Sequence, residues 1–280
     1  MDTYIFVAVL LAAVLHASWN ALVKSGADKQ SSVVAVMFGH VPPALLCFAF
    51  VPFPSADVWH LIVLSAGFHI AYPMALQKGY QTGDLGQVYP IARGTAPLIV
   101  TAVSVFALGA VFNGWEILAV LLMIGGILSM GLAHRKLGPS SDQATFWAVL
   151  TGCFIAGYSI IDGMGARISQ NPLGFFSASC LVSASIFFLR SLIWRRRNIT
   201  DLVGPTFKSF AIGGAASFAA YVIVVWAFTQ APIALVTALR ETSMIVAVII
   251  GVIFFGERFT RTKIFAVGVT LCGVALLRLA

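Results

Sequence analysis

The sequence predicts an all-α membrane protein in which ten transmembrane helices form two inverted five-helix repeats. Three observations support this prediction: the composition, a succession of long apolar segments, and an internal resemblance between the two halves. Of the 280 residues, 60% are hydrophobic and 10% are charged, whereas a soluble domain is about half apolar and a quarter charged. So few charges cannot cover a globule of this size, which argues against a soluble enzyme.

The apolar segments are long enough to cross a membrane. A helix needs about 20 mostly apolar residues to span about 30 Å of hydrocarbon. The connectors are short and leave little sequence for a soluble domain. The ten predicted segments, numbered one to ten along the chain, are 3–23, 31–51, 59–77, 85–110, 114–133, 144–164, 173–193, 207–229, 233–255 and 262–279.

The distribution of Lys and Arg predicts the orientation. Of the 17 basic residues, thirteen lie in odd-numbered connectors, two in even-numbered connectors or termini, and two inside segments. Since cytoplasmic loops carry the excess of Lys and Arg, the odd connectors are predicted to be cytoplasmic and both termini extracytoplasmic. The basic run Arg195, Arg196 and Arg197 is interpreted either as a site for anionic lipid or as an ordinary topology anchor. Because the basic residues separate apolar segments, the net charge of +7 indicates contact with a bilayer and not with nucleic acid.

The second half of the chain repeats part of the first. Residues 80–133 align on residues 227–280 without a gap, with twelve identities in 54 positions. Each repeat, 1–138 and 139–280, holds five segments, an odd number, so the two copies are predicted to lie upside down relative to each other. Inverted repeats are typical of secondary transporters whose binding site lies near the midplane between the repeats. The identities include Thr82/Thr229, Arg93/Arg240, Thr95/Thr242, Gly109/Gly256, Phe112/Phe259 and Gly126/Gly273.

Three stretches carry a resemblance to a known family: HASWNALVK at 16–24, GDLGQVYPIARG at 83–94 and FGER at 255–258. With them, the whole chain resembles the EamA-type drug/metabolite transporter superfamily. The resemblance implies a multi-pass protein of the bacterial inner membrane that carries small metabolites in a cavity lined mainly by segments one, three, four, six, eight and nine. One departure is that Glu257 has no counterpart in the first repeat, where Ala110 occupies the position. We therefore do not expect Glu257 to carry substrate chemistry.

Three charged residues lie deep in the predicted segments. Arg93 is the ninth residue of segment four, and Arg240 and Glu241 are the eighth and ninth of segment nine. A charge at the bilayer centre costs at least about 2.5–3.5 kcal/mol, and the two segments enter from opposite faces, so the three residues are predicted to converge near the midplane. Either the arginines bind a substrate carboxylate or phosphate, or the three form structural ion pairs.

Two carboxylates are candidates for proton coupling. Glu241 lies deep in segment nine, and a carboxylate held away from water can carry a proton at neutral pH. Asp162 lies near the end of segment six, four residues after Tyr158 and therefore on the same helix face. The alternative for Asp162 is that it reaches interfacial water.

Polar and aromatic residues recur at helical spacing on several segments. His16, Trp19 and Asn20 share a face of segment one, His69 and Tyr72 share a face of segment three, and Tyr89 and Arg93 share a face of segment four. Such stripes indicate either a shared, partly wet cavity or interhelical hydrogen bonds. The two histidines either relay protons or are neutral hydrogen-bonded groups. Aromatic rings that either form a cation-binding cage or pack in the core are Trp19, Tyr72, Tyr89, Tyr158, Tyr221 and Trp226.

These patterns favour a secondary transporter, driven by a gradient or by exchange, that moves a small polar or amphipathic metabolite by alternating access. The alternatives are a channel-like pore or a membrane-embedded enzyme. The sequence contains no Gly-x-Ser-x-Gly, no His-Glu-x-x-His and no nucleotide-binding loop, so we expect no enzymatic activity, no cofactor and no metal. The expected partners are the small-molecule substrate and the lipid bilayer, and the expected state is a monomer or a homodimer.

Overall fold

The structure is a computed structural model that describes residues 1–25, 29–134, 138–194 and 206–280. The basic run Arg195, Arg196 and Arg197 lies outside the described residues. Within the described ranges the regular structure is helical throughout. Nine helical stretches in these ranges have the length and composition to cross a membrane, with Ala56–Thr82, Ser209–Gln230 and Ile233–Phe255 each counted as one stretch. The sequence prediction of an all-α membrane fold is therefore confirmed at this level.

The helices follow the predicted segments closely, with one segment ending early and two divided in two. A short 3₁₀ turn at Ala56–Val58 precedes α4, and a π-helical turn at Ser209–Gly213 precedes α9. The α-helices, in chain order from α1 to α12, are Thr3–Ser25, Lys29–Gly39, Val41–Cys47, Trp59–Thr82, Leu85–Phe106, Gly114–Ala133, Pro139–Ser169, Pro172–Trp194, Gly214–Gln230, Ile233–Arg240, Ser243–Phe255 and Arg261–Leu279.

Segment two, predicted at 31–51, is two short helices. The helix stops at Gly39 and restarts at Val41. Pro42 and Pro43 have no N–H to donate to the preceding turn, and they are tolerated because they fall in the first turn of α3. The prediction of one continuous span was wrong here, and the signal for the break was present in the sequence.

Segment nine is also interrupted, between α10 and α11. At this point the backbone bonds shorten to a three-residue spacing, from Glu241 N to Ala238 O and from Thr242 N to Leu239 O, both 3.1 Å. Neither proline nor glycine occurs at the break, so the sequence carried no local signal for it. Glu241 and Thr242 keep right-handed helical φ and ψ angles, so the stretch Ile233–Phe255 remains one candidate span with a tightened turn at Glu241.

The connection that precedes the last helix of each repeat has the same geometry in both copies. Gly109 and Gly256 are repeat equivalents, and they have φ angles of 66° and 64°, a left-handed conformation that glycine adopts without steric cost. Four residues later, Asn113 and Thr260 are the N-caps of α6 and α12, and each accepts a hydrogen bond from the third residue of its helix. The internal repeat therefore extends to backbone geometry.

Packing between the halves is also reciprocal. A Cβ atom placed on Gly126 of α6 would lie 2.8 Å from the carbonyl oxygen of Ala266 in α12. One placed on Gly273, the repeat equivalent of Gly126, would lie 2.7 Å from the carbonyl oxygen of Ala119, the equivalent of Ala266. The absence of a side chain at each glycine thus allows α6 and α12 to approach closely. Because Gly126 faces Ala266 and Gly273 faces Ala119, the two helices run antiparallel. Among the described helices, α4 likewise packs along α7, and α1 along α9.

The outside of the helices is strongly apolar. Phe106, Val111 and Phe254 expose 89%, 93% and 76% of their surface. Exposed large apolar side chains in such number are unfavourable in water and are expected against lipid tails. Together with the spanning helices, this surface identifies a multi-pass integral membrane protein.

Candidate functional site

Six helices bring charged and aromatic side chains together inside the fold. They are α1, α4, α5, α7, α9 and α10, which correspond to the segments that the family resemblance implied for the cavity. At the centre lie Arg93, Arg240 and Glu241, called here the arginine group, which are 4%, 2% and 0% exposed. The structure therefore brings these three residues together, as predicted, with Arg93 from the first repeat and Arg240 and Glu241 from the second.

Arg93 is held by partners on both sides of the break between α10 and α11. Its Nε lies 2.6 Å from Oε2 of Glu241, an ion pair whose atoms are not aligned for a hydrogen bond. Its Nη2 donates to Oγ of Ser243 at 2.9 Å, and its guanidinium carbon lies 5.9 Å from the centre of the Tyr89 ring. The charge of Arg93 is thus compensated inside the protein by Glu241.

Arg240 is held differently. Its Nη2 is 3.6 Å from Oε1 of Glu241, too long for a hydrogen bond, and its Nε and Nη2 have no hydrogen-bond partner among the described residues. Its guanidinium carbon lies 5.9 Å from the ring centre of Tyr158 and 5.7 Å from that of Tyr221. The side chain also hydrogen-bonds with Tyr158. Its Nε and Nη2 remain buried donors without an acceptor among the described residues, which is unfavourable.

A second polar group surrounds Asp162 and is called here the carboxylate group: Asp162, His69, Ser65 and Ser179. Oδ1 of Asp162 accepts from Ser65 at 2.5 Å, and Oδ2 lies 2.9 Å from Nε2 of His69. Ser65 also bonds with Ser179 at 2.8 Å. Asp162 is fully buried, so the alternative that it reaches interfacial water is wrong. The reason is that α7 continues to Ser169, seven residues beyond Asp162, which is about 10 Å of helix.

Two tyrosines connect the groups. The hydroxyl of Tyr221 donates to Oδ2 of Asp162 at 2.7 Å, while its ring faces Arg240. Tyr158 stacks on His69 with ring centres 4.3 Å apart and also faces Arg240. The predicted Tyr72 packs edge-on against Tyr158 at 5.6 Å. The arginine group and the carboxylate group are therefore parts of one site.

The predicted residues of α1 fall into two classes. His16 lies within electrostatic range of both Arg93 and Arg240, and Trp19 contacts the His16 ring at 5.2 Å. The Nε1 of Trp19 is buried without a hydrogen-bond partner among the described residues. Asn20 instead donates to the carbonyl of His16 at 2.8 Å, so its side chain is engaged with its own helix.

Trp226 lies away from the site. It packs against Tyr4, near the start of α1, with ring centres 6.1 Å apart. It follows Tyr221 by five residues, which places it about 140° around α9 and more than one turn further along. Since Tyr221 faces the site, Trp226 cannot. Sequence reasoning did not anticipate Ser243 and Ser179, although Ser243 follows Arg240 by three positions, a spacing that shares a helix face.

An ion-pair cluster ties three helix ends together at the face predicted to be cytoplasmic. Glu257 bonds with Lys24 at the end of α1 and with Lys263 of α12, the latter at 2.7 Å. Lys24 also lies 4.6 Å from the ring centre of Phe255. The hydrogen bonds from Lys24 and then from Lys263 hold the pKa of Glu257 below its ordinary value. This glutamate therefore joins α1 to the ends of α11 and α12.

The opposite face has a cleft of about 410 Å³ at the outer ends of α5, α7, α9 and α10. Arg167 lies beside it and donates to the carbonyl oxygens of Phe228 and Ala231, both at 2.8 Å. It thus caps the carboxyl end of α9, where a cation is favoured. The cleft reaches Ile233, seven residues and about 10 Å of helix before Arg240.

Comparisons with known proteins agree with this architecture. Residues 143–279 match the EamA-like transporter family. A crystal structure of another protein superposes with a TM-score of 0.78 at 16% sequence identity, over 100% of this chain and 98% of that chain. At this identity the likeness concerns the fold alone. No curated protein matches the sequence.

Proposed function

Because residues 143–279 belong to the EamA-like transporter family, we propose that the chain is a secondary transporter that moves a small organic anion across a bacterial inner membrane by alternating access. The observation that carries the proposal is the state of Arg240. It is a buried cation at the tightened turn between α10 and α11, and its Nε and Nη2 have no acceptor among the described residues.

An anion is the ligand that satisfies this arrangement. The other buried carboxylate of the site, Asp162, is already bound by Ser65, His69 and Tyr221. Among the described residues, Arg240 therefore has no carboxylate within hydrogen-bond distance, since Glu241 lies 3.6 Å away. A carboxylate or sulfonate can accept two parallel hydrogen bonds from one guanidinium. The rings of Tyr158 and Tyr221, which face Arg240 at 5.9 and 5.7 Å, suit an apolar or aromatic body next to the charged group. The proposed substrate is therefore a small amphipathic monoanion.

Alternating access follows from the burial of the site and from the repeats. Arg93 and Arg240 are 4% and 2% exposed, so a substrate reaches them only when the surrounding helices move. The reciprocal contacts of Gly126 and Gly273 support two inverted five-helix repeats, 1–138 and 139–280, in which α2 and α3 together make one crossing. Such repeats can exchange conformations and expose the site to each side in turn.

The alternatives fit the site less well. A channel needs a continuous water path, whereas the arginine group is almost inaccessible. Ser65, His69 and Asp162 have the residue types of a hydrolytic triad, but Ser65 bonds to the carboxylate and not to the imidazole. His69 is then not placed to take the proton of Ser65, as acyl transfer requires.

The proposal is tested with the purified full-length chain and four matched aromatic probes. Benzenesulfonate and benzoate are expected to raise the Tm, whereas neutral benzamide and cationic benzylamine are not. In proteoliposomes, counterflow of radiolabelled benzenesulfonate should saturate. Arg240→Lys should lower it at least tenfold, because an ammonium lacks the planar fork of a guanidinium.

The exposed Arg258, changed to Lys, is the matched control and should leave counterflow within about twofold of wild type. Stabilisation by benzamide or benzylamine but not by the anions would contradict an anionic substrate. Wild-type counterflow in Arg240→Lys would show that Arg240 does not bind it. A non-saturating, ohmic current would favour the channel.

A further inference from the structure

We infer that the anion crosses the membrane together with one proton, and that the pair of His69 and Asp162 carries that proton. This inference rests on the proposed function and adds the coupling ion to it. It moves the coupling role away from Glu241, which is bound in an ion pair with Arg93 at 2.6 Å.

The geometry of Asp162 suits a site that gains and loses a proton. Both of its oxygens are engaged by side chains that can rearrange: Ser65 on Oδ1, and His69 and Tyr221 on Oδ2. Asp162 has no exposed surface, while 18% of the His69 side chain is exposed. His69 is therefore the member of the pair at which a proton enters, and it passes or shares the proton across 2.9 Å.

A count of buried charges gives the stoichiometry. With the histidines neutral, two arginines and two carboxylates (Arg93, Arg240, Glu241 and Asp162) sum to zero. A bound monoanion changes this sum to −1, and one proton on the His69–Asp162 pair restores it to zero. An uncompensated charge away from water is unfavourable. Anion and proton therefore bind better together than separately, and the loaded and empty sites carry the same charge.

The two binding events have a structural connection. Tyr221 donates to Asp162 and places its ring against Arg240, and Tyr158 stacks on His69 while facing the same arginine. An anion that binds Arg240 therefore contacts rings whose other contacts are the proton-carrying pair. A substrate on Arg240 and a proton on His69 or Asp162 are separated by one layer of tyrosines.

Other titratable groups around Asp162 are less suited to the role. A proton on His16 would add positive charge near two arginines, within whose electrostatic range it lies. His40 lies 3.9 Å from the sulfur of Cys180 and packs against Phe176 and Phe218, without a carboxylate to share a proton. The titratable groups that interact directly with the pair from the surrounding helices are His40, Tyr158, Cys180 and Tyr221. Tyr158 in turn interacts with the charges of Arg93, Arg240 and Glu241.

The test uses proteoliposomes of the full chain and radiolabelled benzenesulfonate, which stays ionised at every pH used and so isolates protonation of the protein. A pH gradient without a membrane potential should drive accumulation on the alkaline side, at least fivefold above equilibrium. A potential set by potassium and valinomycin, without a pH gradient, should drive none, because the loaded and empty sites have equal charge.

Variants then locate the proton. Asp162→Asn has the charge of the protonated carboxyl, so it should keep more than half of the wild-type counterflow. This counterflow should be independent of pH. The variant should lose accumulation driven by the pH gradient. His69→Gln and Tyr221→Phe provide second and third variants if Asp162→Asn folds poorly. Both should weaken accumulation more than counterflow. Asp57→Asn, at an exposed carboxylate, is the matched control and should behave as wild type.

The outcomes distinguish a failure of proton coupling at His69 and Asp162 from a failure of the proposed anionic substrate. Accumulation driven by potential alone would overturn the one-to-one coupling, and full pH-driven accumulation in Asp162→Asn would overturn the site. Accumulation that requires a sodium gradient would identify a different coupling ion and also overturn it. Absence of benzenesulfonate counterflow in wild type would instead remove the anionic substrate on which the inference depends.

Discussion

Residues 80–133 and 227–280 have the same spacing and the same turn, yet they contribute differently to the site. Arg93 and Arg240 are equivalent, but Arg93 lies within the continuous α5, whereas Arg240 ends α10. Glu241, which pairs with Arg93, has Gly94 as its equivalent. A single carboxylate in one copy thus lies 2.6 Å from the arginine of the other copy and 3.6 Å from its own neighbour, Arg240. The repeat gives both copies the same backbone, and residues found in just one copy, such as Glu241, make the two arginines differ in their contacts.

The largest effect is expected from removing the charge of Glu241. Glu241→Gln removes the ion-pair partner of Arg93, and breaking a buried pair in this way costs about 3–5 kcal/mol. We expect poor expression and a broad size-exclusion profile in detergent. Arg93→Gln combined with Glu241→Gln removes one charge of each sign and should recover much of the stability.

This double variant is the control for the role of Glu241. A contrary result would be monodisperse Glu241→Gln protein with wild-type Tm and normal counterflow but no proton-driven accumulation. It would contradict the structural role of Glu241. Glu241 would then be the coupling residue, and Arg93 would not depend on it for its charge balance.

A smaller effect is expected at the contact between α6 and α12, where the two copies have equivalent glycines. Gly126→Ala and Gly273→Ala each place a methyl group within about 2.8 Å of a carbonyl oxygen on the opposite helix, and overpacking of this kind costs roughly 1–3 kcal/mol. Because the contact is reciprocal, the two variants should lower the unfolding free energy by similar amounts. The measurement is unfolding in mixed micelles.

Gly125→Ala and Gly268→Ala are matched controls, since a Cβ at either position meets nothing within 4 Å. They should be neutral or slightly stabilising, because alanine favours helix. A large difference between Gly126→Ala and Gly273→Ala would indicate that the halves do not share this contact equally.

The smallest effect is expected from removing the ion pairs of Glu257, which join the ends of α1, α11 and α12. The equivalent residue in the first copy is Ala110, which cannot form them. The pKa of Glu257 is lowered by Lys24 and Lys263, so its ion pairs stabilise the fold above the ordinary glutamate pKa of about 4.3. This contribution is lost as pH falls through the lowered pKa. Since 36% of the Glu257 side chain is exposed, we expect less than about 1 kcal/mol.

The measurement is the Tm of wild type and Glu257→Gln between pH 7 and pH 3. Wild type should be slightly more stable at pH 7, and the two curves should converge at the acidic end. Asp57→Asn should show no such convergence. A gap that widens with falling pH would contradict the assignment.

Much of the fold could be predicted from sequence because a bilayer imposes a simple requirement on length and polarity. The break in segment two was also predictable in principle, from Pro42 and Pro43. The tightened turn at Glu241 was not, since it carries no proline or glycine and the contacts that accompany it, from Arg93 to Glu241 and Ser243, are tertiary. Helical periodicity describes one helix at a time and contains no information about these partners.

The sequence predicted which residues lie in the candidate site better than it predicted which of them contact each other. Spacing on single helices brought His16, His69, Arg93 and Tyr158 into the candidate set, and the structure places them in one cluster. The burial of Asp162 depended on how far α7 continues, and the position of Trp226 depended on which face of α9 turns inward. Neither follows from composition or spacing, because a helix of apolar residues gives little indication of its rotation.

The crossing of α6 and α12 uses one set of positions twice. Each helix offers its glycine, Gly126 or Gly273, to the alanine of the other, so the surface is complementary to an inverted copy of itself. A half-length ancestor with this surface could pair upside down with a second copy, and joining the two copies by gene duplication would then require no new contact. Glycine and alanine are identical in both copies, among only twelve identities in 54 positions, and a side chain in place of either glycine would meet a carbonyl oxygen of the opposite helix.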